Sequence, residues 1–314
     1  MEYSEVYEKA DALRKNLEKV IRGKSDKIEL AVAALLARGH LLIEDVPGVG
    51  KTTLAHAMAR SVNCSFQRIQ FTSDMLPSDV IGVTVYNQER RVFEFKPGPI
   101  FANIVLADEI NRTTPRTQSA LLEAMNDRQI SVDGITHPLP VPFMLIATQN
   151  PLEYAGTFPL PESQLDRFTI SIKIGYPDAE HEREIIRSAS SSTALTSLDP
   201  VITTDELGAM QECVGRVRVA DDLVSYILSI ANAARNHNGI RLGPSPRATS
   251  TLYATAQALA VINGRDYLLP DDIKRLAVPV FGHRIIAVEN YSGEAVEAGA
   301  ELVEDVLNST PVPV

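Results

Sequence analysis

The sequence IEDVPGVGKTT, residues 43–53, decides the fold of this chain. An apolar run, residues 41–43, leads into it, and a run compatible with a helix, residues 54–59, follows it. Gly48 and Gly50 let the backbone curl so that its N–H groups converge on one anion, because neither residue carries a Cβ. A glycine-bearing turn between a strand and a helix, ending in Gly-Lys-Thr, is typical of loops that hold the phosphates of a nucleotide.

Several side chains of this loop have distinct expected tasks. Lys51 supplies positive charge to the β- and γ-phosphates, and Thr52 supplies a hydroxyl oxygen to Mg²⁺. The first position departs from the usual pattern, because Asp45 stands where glycine is common. Taken alone, the stretch is also compatible with an ordinary strand, turn and helix that carry a solvated lysine. Further nucleotide contacts are predicted at Pro47, Gly48, Val49, Gly50 and Thr53.

A second apolar run, residues 104–107, ends in two carboxylates, Asp108 and Glu109. Four consecutive apolar residues favour a strand buried on both faces, as in a parallel sheet covered by helices. The carboxyl ends of such strands are where α/β folds bind ligands. We therefore predict that Asp108 holds Mg²⁺ through coordinated water and that Glu109 polarises the attacking water. A pair of helix-capping acids is the alternative.

A third apolar run, residues 143–148, is followed by Gln149 and Asn150. An amide at this place can orient the attacking water or sense the γ-phosphate. Asn before proline is also common turn chemistry, and that alternative stays open for Asn150 alone. Because three apolar strands each end in polar residues of catalytic type, the functional interpretation is favoured.

The rest of the chain divides into an α/β part and a helical part. Residues 3–38 predict two helices that break at Gly23 and end at Gly39 as a C-cap. Strands are expected at residues 67–71 and 169–174, hairpins at 83–95 and 129–136, and a helix at 117–125. After a break at residues 175–177, helices are predicted to begin near Asp178, Thr203, Asp221, Ser245 and Asp271, with a loop at 188–199.

Two arginines occupy places of interest. Ser245 fits a helix N-cap and Pro246 the first helical position, which puts Arg247 in the first turn. A positive charge there opposes the helix dipole and suggests that Arg247 meets an anion. Arg167 stands just before a strand, where a lone arginine is usually only a surface charge.

The composition bounds the class of protein. A length of 314 residues favours two domains, and a net charge of −10 argues against nucleic acid as the main ligand. Cys64 and Cys213 lie far apart in the chain, as expected in a reducing compartment. Six histidines without metal-ligand spacing, and the lack of a Gly-x-Ser-x-Gly motif, argue against metal and serine hydrolases. No membrane segment or signal peptide is expected, so we predict a cytoplasmic protein.

Taken together, the motifs resemble those of the MoxR family within the AAA+ superfamily. The resemblance rests on their order and spacing over nearly the whole chain, including the aspartate at position 45. The matching stretches are EDVPGVGKT at 44–52, ADEINR at 107–112, QSALLEAM at 118–125, ATQNP at 147–151, LPESQLDRF at 160–168 and SPRA at 245–248.

The resemblance implies a fold and a set of roles. The fold would be an α/β P-loop AAA+ core, residues 1–176, with a parallel sheet flanked by helices and an all-helical lid, residues 177–314. The hairpin at about 82–96 would be an insert typical of the clade. Asn150 would be sensor 1, Arg167 an arginine finger that reaches a neighbouring subunit's nucleotide, and Arg247 sensor 2, acting within its own subunit or across an interface.

The resemblance also implies partners and a task. Family members assemble as rings, commonly hexamers, with ATP and Mg²⁺ bound between subunits. They act as chaperone-like ATPases that remodel, mature or activate a client protein, often one with a von Willebrand factor A domain, and sometimes in metal-cofactor insertion.

Two rival functions remain at this stage. The first is a nucleic-acid-dependent motor of the same clade, which the acidic charge and the lack of a recognisable nucleic-acid-binding module oppose. The second is a nucleotide switch or scaffold without hydrolysis. The presence of Lys51, Asp108, Glu109, Asn150 and Arg167 together opposes it, because a scaffold needs no such set.

Overall fold

A computed structural model describes residues 1–151, 156–187, 195, 197–288 and 295–313. Part of the loop predicted at 188–199 lies outside the described residues. The strands are β1 Leu41–Glu44, β2 Phe66–Gln70, β3 Gly82–Asn87, β4 Val92–Pro97, β5 Ile104–Asp108, β6 Gln129–Val132, β7 Ile135–Pro138, β8 Met144–Gln149, β9 Ile170–Ile172, β10 Ile240–Leu242 and β11 Ile286–Ala287.

The helices alternate with the strands in the first half of the chain and dominate the second half. They are α1 Tyr3–Glu18, α2 Ser25–Leu36, α3 Lys51–Ser61, α4 Pro77–Ile81, α5 Pro115–Asp127, α6 Glu162–Leu165, α7 Ala179–Arg187, α8 Thr204–Val214, α9 Asp221–Arg235, α10 Pro246–Ile262, α11 Pro270–Phe281 and α12 Ala295–Ser309.

Five parallel strands form the central sheet in the order β2-β5-β8-β1-β9. Their register aligns the carboxyl ends, since Gln70 lies opposite Asp108 and Glu44 lies opposite Gln149. The predicted acids, the amide and the phosphate loop therefore meet at one edge of the sheet, as expected for strands that run in the same direction.

The apolar runs found in the sequence are buried on both faces of this sheet. Leu106 and Ile146 pack into one apolar cluster, whereas Val105 and Leu145 pack into a second one on the other face. Because neighbouring residues of a strand point to opposite faces, a strand covered on both sides needs apolar residues at every position. The prediction of a doubly covered parallel sheet is confirmed.

The turn after α2 differs from the expectation that Gly39 is the C-cap. Arg38, not Gly39, adopts the left-handed conformation, with φ of 56°, and the Gly39 N–H donates to the carbonyl of Ala34 at 2.8 Å. Glycine is needed at position 39 for another reason. A Cβ there would lie 2.0 Å from Oγ1 of Thr169, so the Thr169 side chain leaves no room for a side chain at position 39.

The C-terminal half contains the predicted helices and two elements that were not predicted. Thr203 and Ser245 cap α8 and α10 through their side chains, as expected. An antiparallel ribbon of β10 and β11 and the final helix α12 are additions, so this half is mainly but not wholly helical. The division at residue 176 stays a prediction, because one apolar cluster includes both α1–α3 and the C-terminal helices.

Within the part of the chain that the structure describes, no helix is both long enough and apolar enough to span a membrane.

Candidate functional site

The phosphate loop, residues 45–53, has the geometry that an anion cradle needs. Gly48 and Gly50 have φ of 88° and 95°, a conformation that glycine adopts at little cost. Gly50 is the N-cap of α3, so the loop opens onto the N-terminus of an 11-residue helix. A Cβ at Gly48 would meet nothing within 4 Å, which leaves the outer side of the loop open to a ligand.

Lys51, the first residue of α3, is buried, and its ammonium group donates to the backbone carbonyl of Asp45 at 2.6 Å. Thr52 and Thr53 lie half-buried in the first turn of α3. Pro47 is exposed at the tip of the loop, whereas Val49 is buried beneath it. The roles of these residues toward a nucleotide stay predictions.

A cavity of about 170 Å³ adjoins the phosphate loop. Its floor contains Gly48 and Gly50 of the loop, and its walls come from the connection between α1 and α2 and from the 174–177 segment after β9. Apolar side chains such as Val20, Ile21 and Ile174 face it. An apolar cavity beside a phosphate cradle suits the base of a nucleotide.

Asp108 is buried at the end of β5 and accepts two kinds of hydrogen bond. Thr148 Oγ1 donates to Oδ1 at 2.6 Å, and Arg68 donates to Oδ2 from Nη2 at 2.6 Å and from Nε at 3.0 Å. A buried carboxylate is costly unless a cation or several donors balance it. The Asp108 carboxylate needs a positive charge nearby, and Arg68 supplies one in this structure. A bound Mg²⁺ would supply the same charge, so Asp108 fits the role of a Mg²⁺ ligand.

Glu109 adopts a left-handed backbone conformation, with φ of 56°, directly after β5. For a residue with a side chain this conformation costs roughly 1–3 kcal/mol and persists where the surroundings impose it. Its N–H donates to Thr148 Oγ1 at 2.9 Å, and its Oε2 accepts from Gln70 Nε2 at 2.8 Å and lies 3.1 Å from Arg112 Nε. The Glu109 carboxylate is therefore held at the edge of the sheet beside that of Asp108.

The structure brings Arg68 and Gln70, which no sequence motif marks, to the predicted acids. They alternate on β2 and share one of its faces. Polar side chains at every second position of a strand beside the acid-bearing strand could have indicated this contact. Asn150 is buried directly after β8, and its role as sensor 1 stays a prediction.

Replacing Arg68 with glutamine should strengthen the binding of divalent metal in the presence of ATP by about fivefold. Arg68 is half exposed, so its pairing with Asp108 is worth roughly 1 kcal/mol, and a metal ion that takes Asp108 must displace it. Titration with Mn²⁺, followed by electron paramagnetic resonance, measures the affinity. An affinity equal to that of an Arg14→Gln control would contradict this competition.

Four arginines line a second cavity of about 290 Å³, here called the arginine pocket. They are Arg38, Arg128, Arg167 and Arg247. In the described residues no carboxylate lies within ion-pair distance of any of the four.

The hydrogen bonds of these guanidinium groups go to neutral oxygens instead. Arg247 Nη2 donates to Oδ1 of Asn126 at 2.5 Å, and Arg167 donates to the carbonyl of Leu122. Burial and the positive charge of Arg38 lower the pKa of Arg128. The pocket therefore holds uncompensated positive charge in a protein whose net charge is −10.

The carboxylate of Asp166 links the segment that carries Arg167, the predicted arginine finger, to the helix that carries Arg247, the predicted sensor 2. Asp166, next to Arg167, accepts from Ser245 Oγ at 2.9 Å and from Arg284 Nε at 3.1 Å. Ser245 caps the helix whose first turn carries Arg247. The structure thus brings Arg167 and Arg247 together, in a pocket that shares no lining residue with the cavity at the phosphate loop.

His40 lies buried at the inner wall of the arginine pocket. Its Nδ1 accepts from the N–H of Leu145 at 3.0 Å, so Nε2 carries the proton and donates to the carbonyl of Met125 at 3.2 Å. Burial, assisted by the charges of Arg128 and Arg247, lowers the pKa of His40 from 6.5 to about 4. The ring is therefore neutral at physiological pH and adds no charge to the pocket.

This neutral histidine predicts a loss of stability in acid. Between pH 6.5 and 4 the unfolded chain protonates His40 and the folded chain does not, so the free energy of unfolding falls by about 3 kcal/mol as the pH drops through this window. A His40→Asn variant should show a flatter pH dependence of urea unfolding between pH 4.5 and 7. The control variant His137→Asn should keep the pH dependence of the wild type. If His40→Asn also showed the wild-type pH dependence of the free energy of unfolding, the prediction would be wrong.

Comparison with known proteins agrees with the fold and the motifs. The model of the ATPase family associated with various cellular activities (AAA) matches residues 40–170, and the AAA lid domain model matches residues 232–306. A solved structure of a putative ATPase from Cytophaga hutchinsonii superposes with a TM-score of 0.91 at 35% identity, covering 99% of this chain and 97% of that one.

Two curated relatives extend over nearly the whole chain. An uncharacterized protein of Bacillus subtilis, YeaC, is 47% identical over 95% of this chain and 93% of its own length. The chaperone MoxR1 of Mycobacterium tuberculosis is 39% identical over 95% of this chain and 80% of its own length. The family inferred from the motifs is thereby confirmed, and the chain belongs to the MoxR family of AAA+ ATPases.

Proposed function

We propose that the ATPase works as a ring in which ATP on the phosphate loop of one copy meets the arginine pocket of the next copy. One observation carries this proposal. Arg167 and Arg247 share a cavity in which no carboxylate of the described residues forms an ion pair with either of them, and that cavity is separate from the phosphate loop of the same chain. Clustered arginines without a paired carboxylate attract an anion, and a triphosphate from a second copy supplies one.

A ring follows from this kind of contact. The phosphate loop of one copy and the arginine pocket of another are different surfaces, so the interface is head-to-tail and closes into a ring when the rotation between copies allows it. A hexamer is the size that the family resemblance implies. In this arrangement Arg247 acts across the interface, together with Arg167.

The chemistry proposed is in-line attack of water on the γ-phosphate of ATP. Thr52 and Asp108 would hold Mg²⁺, which neutralises charge on the phosphate oxygens when bound. Lys51 binds the β- and γ-phosphates, and Glu109 orients the water and accepts its proton. Further proposed roles are water positioning by Asn150, stabilisation of the developing charge by Arg167 and Arg247, and loop contacts by Pro47, Gly48, Val49, Gly50 and Thr53.

We extend the proposal to a client protein that the ring remodels, matures or activates. The printed name of the relative MoxR1, a chaperone, supports a client of protein nature. A protein with a von Willebrand factor A domain, or an enzyme that receives a metal cofactor, is the client class that the resemblance implies. The free thiols of Cys64 and Cys213 fit the reducing cytoplasm as the compartment.

The ATPase rate per subunit, measured against protein concentration, tests the shared site. The rate should rise with concentration and level off as rings form, because a subunit without a neighbour lacks Arg167 and Arg247 at its nucleotide. Sedimentation on the same samples reports assembly. A high rate that stays flat while the protein is monomeric would contradict the proposal, and assembled rings without activity would favour a scaffold.

A further inference from the structure

Asp45, the residue that stands in place of the usual glycine, links the phosphate loop to the segment that leaves the sheet. Its side chain is almost fully buried, with 8% of the residue exposed. Oδ2 accepts from the N–H of Gly175 at 2.6 Å, and Oδ1 accepts from the N–H of Val46 at 2.9 Å. Asp45 thus joins two parts of the chain that are 130 residues apart.

The same residue contacts the predicted phosphate-binding lysine through its backbone. The carbonyl of Asp45 accepts from Nζ of Lys51 at 2.6 Å, while its N–H donates to the carbonyl of Gln149 at the end of β8. A shift of the Lys51 ammonium toward a phosphate would weaken this hydrogen bond to Asp45. The carboxylate of Asp45, which accepts from Gly175, connects that change to the 174–177 segment.

A carboxylate at this place has an electrostatic disadvantage. A buried negative charge beside a phosphate cradle weakens the binding of an anion, and a glycine would carry no such charge. The carboxylate of Asp45 adds two charged hydrogen bonds that glycine lacks, and the one to Gly175 is the one that reaches a distant segment. Hydrogen bonds to ionised groups are about twice as strong as those between neutral groups.

Gly175 lies at the point where the chain leaves the central sheet. It has φ of 70°, a left-handed conformation that a residue with a Cβ rarely adopts, and it lies between β9 and α7. The 174–177 segment also lines the cavity at the phosphate loop, and the carbonyl of Tyr176 accepts from Nζ of Lys24 at 2.8 Å. The segment is thus held from both sides where the chain enters the C-terminal helices.

We propose that Asp45 is a positioning residue that couples nucleotide occupancy of the phosphate loop to the 174–177 segment. The inference rests on the proposed function in so far as the occupant is ATP. Asp45 contributes little to ATP affinity in this account. Its hydrogen bond to Gly175 makes the segment respond when Lys51 engages a phosphate, and this response sets the turnover.

The test compares Asp45→Gly and Asp45→Asn with the wild type as full chains. Three quantities are measured: the Kd for ATP in the presence of Mg²⁺, the turnover of assembled rings, and the ATP-dependent change in backbone hydrogen exchange over residues 172–180. Asp178→Asn is the matched control, since Asp178 accepts backbone N–H groups of Glu180 and His181 on the far side of the segment.

Asp45→Gly should bind ATP as tightly as the wild type or a few-fold more tightly, whereas its turnover should fall about tenfold, as expected for the loss of one hydrogen bond to a charged group. Its ATP-dependent change in exchange over residues 172–180 should vanish. Asp45→Asn keeps an oxygen that accepts from Gly175 and should retain part of both responses. Asp178→Asn should match the wild type in all three quantities.

Two outcomes would overturn the proposal. In the first, Asp45→Gly keeps the wild-type turnover and the wild-type exchange response. In the second, its ATP affinity and turnover fall together while the exchange response persists, which would make Asp45 a structural part of the binding loop only. A wild type that binds ATP without hydrolysing it would refute the proposed function, yet the exchange response would still test Asp45.

Discussion

Replacing Arg167 with alanine should lower the ATP turnover of assembled rings by about 10³-fold or more, which is the lower end of the contribution of an arginine supplied in trans. The affinity of the same subunit for ATP should change little, because Arg167 lies in the arginine pocket and not at its own phosphate loop. Steady-state hydrolysis and equilibrium binding of a fluorescent ATP analogue measure the two quantities.

Two further variants make the Arg167 result specific. Arg167→Lys keeps the charge but not the planar fork of donors, so its activity should lie between those of the wild type and the alanine variant. Arg241→Ala removes an exposed arginine of β10 that does not line the arginine pocket and should leave turnover unchanged. Near wild-type turnover in assembled Arg167→Ala rings would exclude Arg167 as the arginine finger.

Replacing Glu109 with glutamine should lower turnover by about 10²- to 10⁴-fold and leave ATP bound, since proton transfer to a positioned side chain contributes a factor of this size. Glutamine has nearly the same shape and keeps an oxygen for the contacts with Gln70 and Arg112. The left-handed backbone at this position should therefore persist, and the loss reports the missing carboxylate. Single-turnover hydrolysis with prebound ATP separates this chemical step from binding.

The control for Glu109 is Glu94→Gln on the β3–β4 hairpin, where the acid also pairs with an arginine, Arg90. That variant should hydrolyse ATP like the wild type. Wild-type turnover in Glu109→Gln would remove Glu109 from the proposed mechanism. If the variant does retain ATP, it should also trap the client protein in a pull-down, which would name the client directly.

The central sheet could be predicted from the sequence because its strands are covered on both faces. Uninterrupted apolar runs such as residues 104–107 favour a buried strand. The polar residues that follow them indicate the edge of the sheet where the strands end. Parallel register then brings the predicted side chains together without further information from the sequence.

The parts that could not be predicted depend on contacts between distant segments. Arg68 and Gln70 reach Asp108 and Glu109 only because β2 lies beside β5 in the sheet. The order of elements in the sequence does not reveal this neighbourhood. The local sequence predicts Gly39 as a helix cap, whereas the nearby side chain of Thr169 is what excludes a Cβ there.

The proximity of Arg167 and Arg247 likewise depends on contacts between distant segments. From the sequence, Arg247 could act within its own subunit or across an interface, since its helix cap fixes only the local geometry. Its place beside Arg167 in the arginine pocket supports action across the interface and follows from the packing of α10 against the core. The link from Ser245 to Asp166 joins residues 79 positions apart.

A mixture of two inactive variants tests the shared site most directly. Lys51→Ala subunits lack the phosphate-binding lysine but keep the arginine pocket, and Arg167→Ala subunits have the opposite defect. When the two are mixed in equal amounts and assembled, roughly a quarter of the head-to-tail interfaces combine an intact Lys51 with an intact Arg167. We expect ATPase activity to return in the mixture, to about that fraction of the wild-type rate. A mixture that co-assembles but hydrolyses ATP no faster than the two variants measured separately would contradict it.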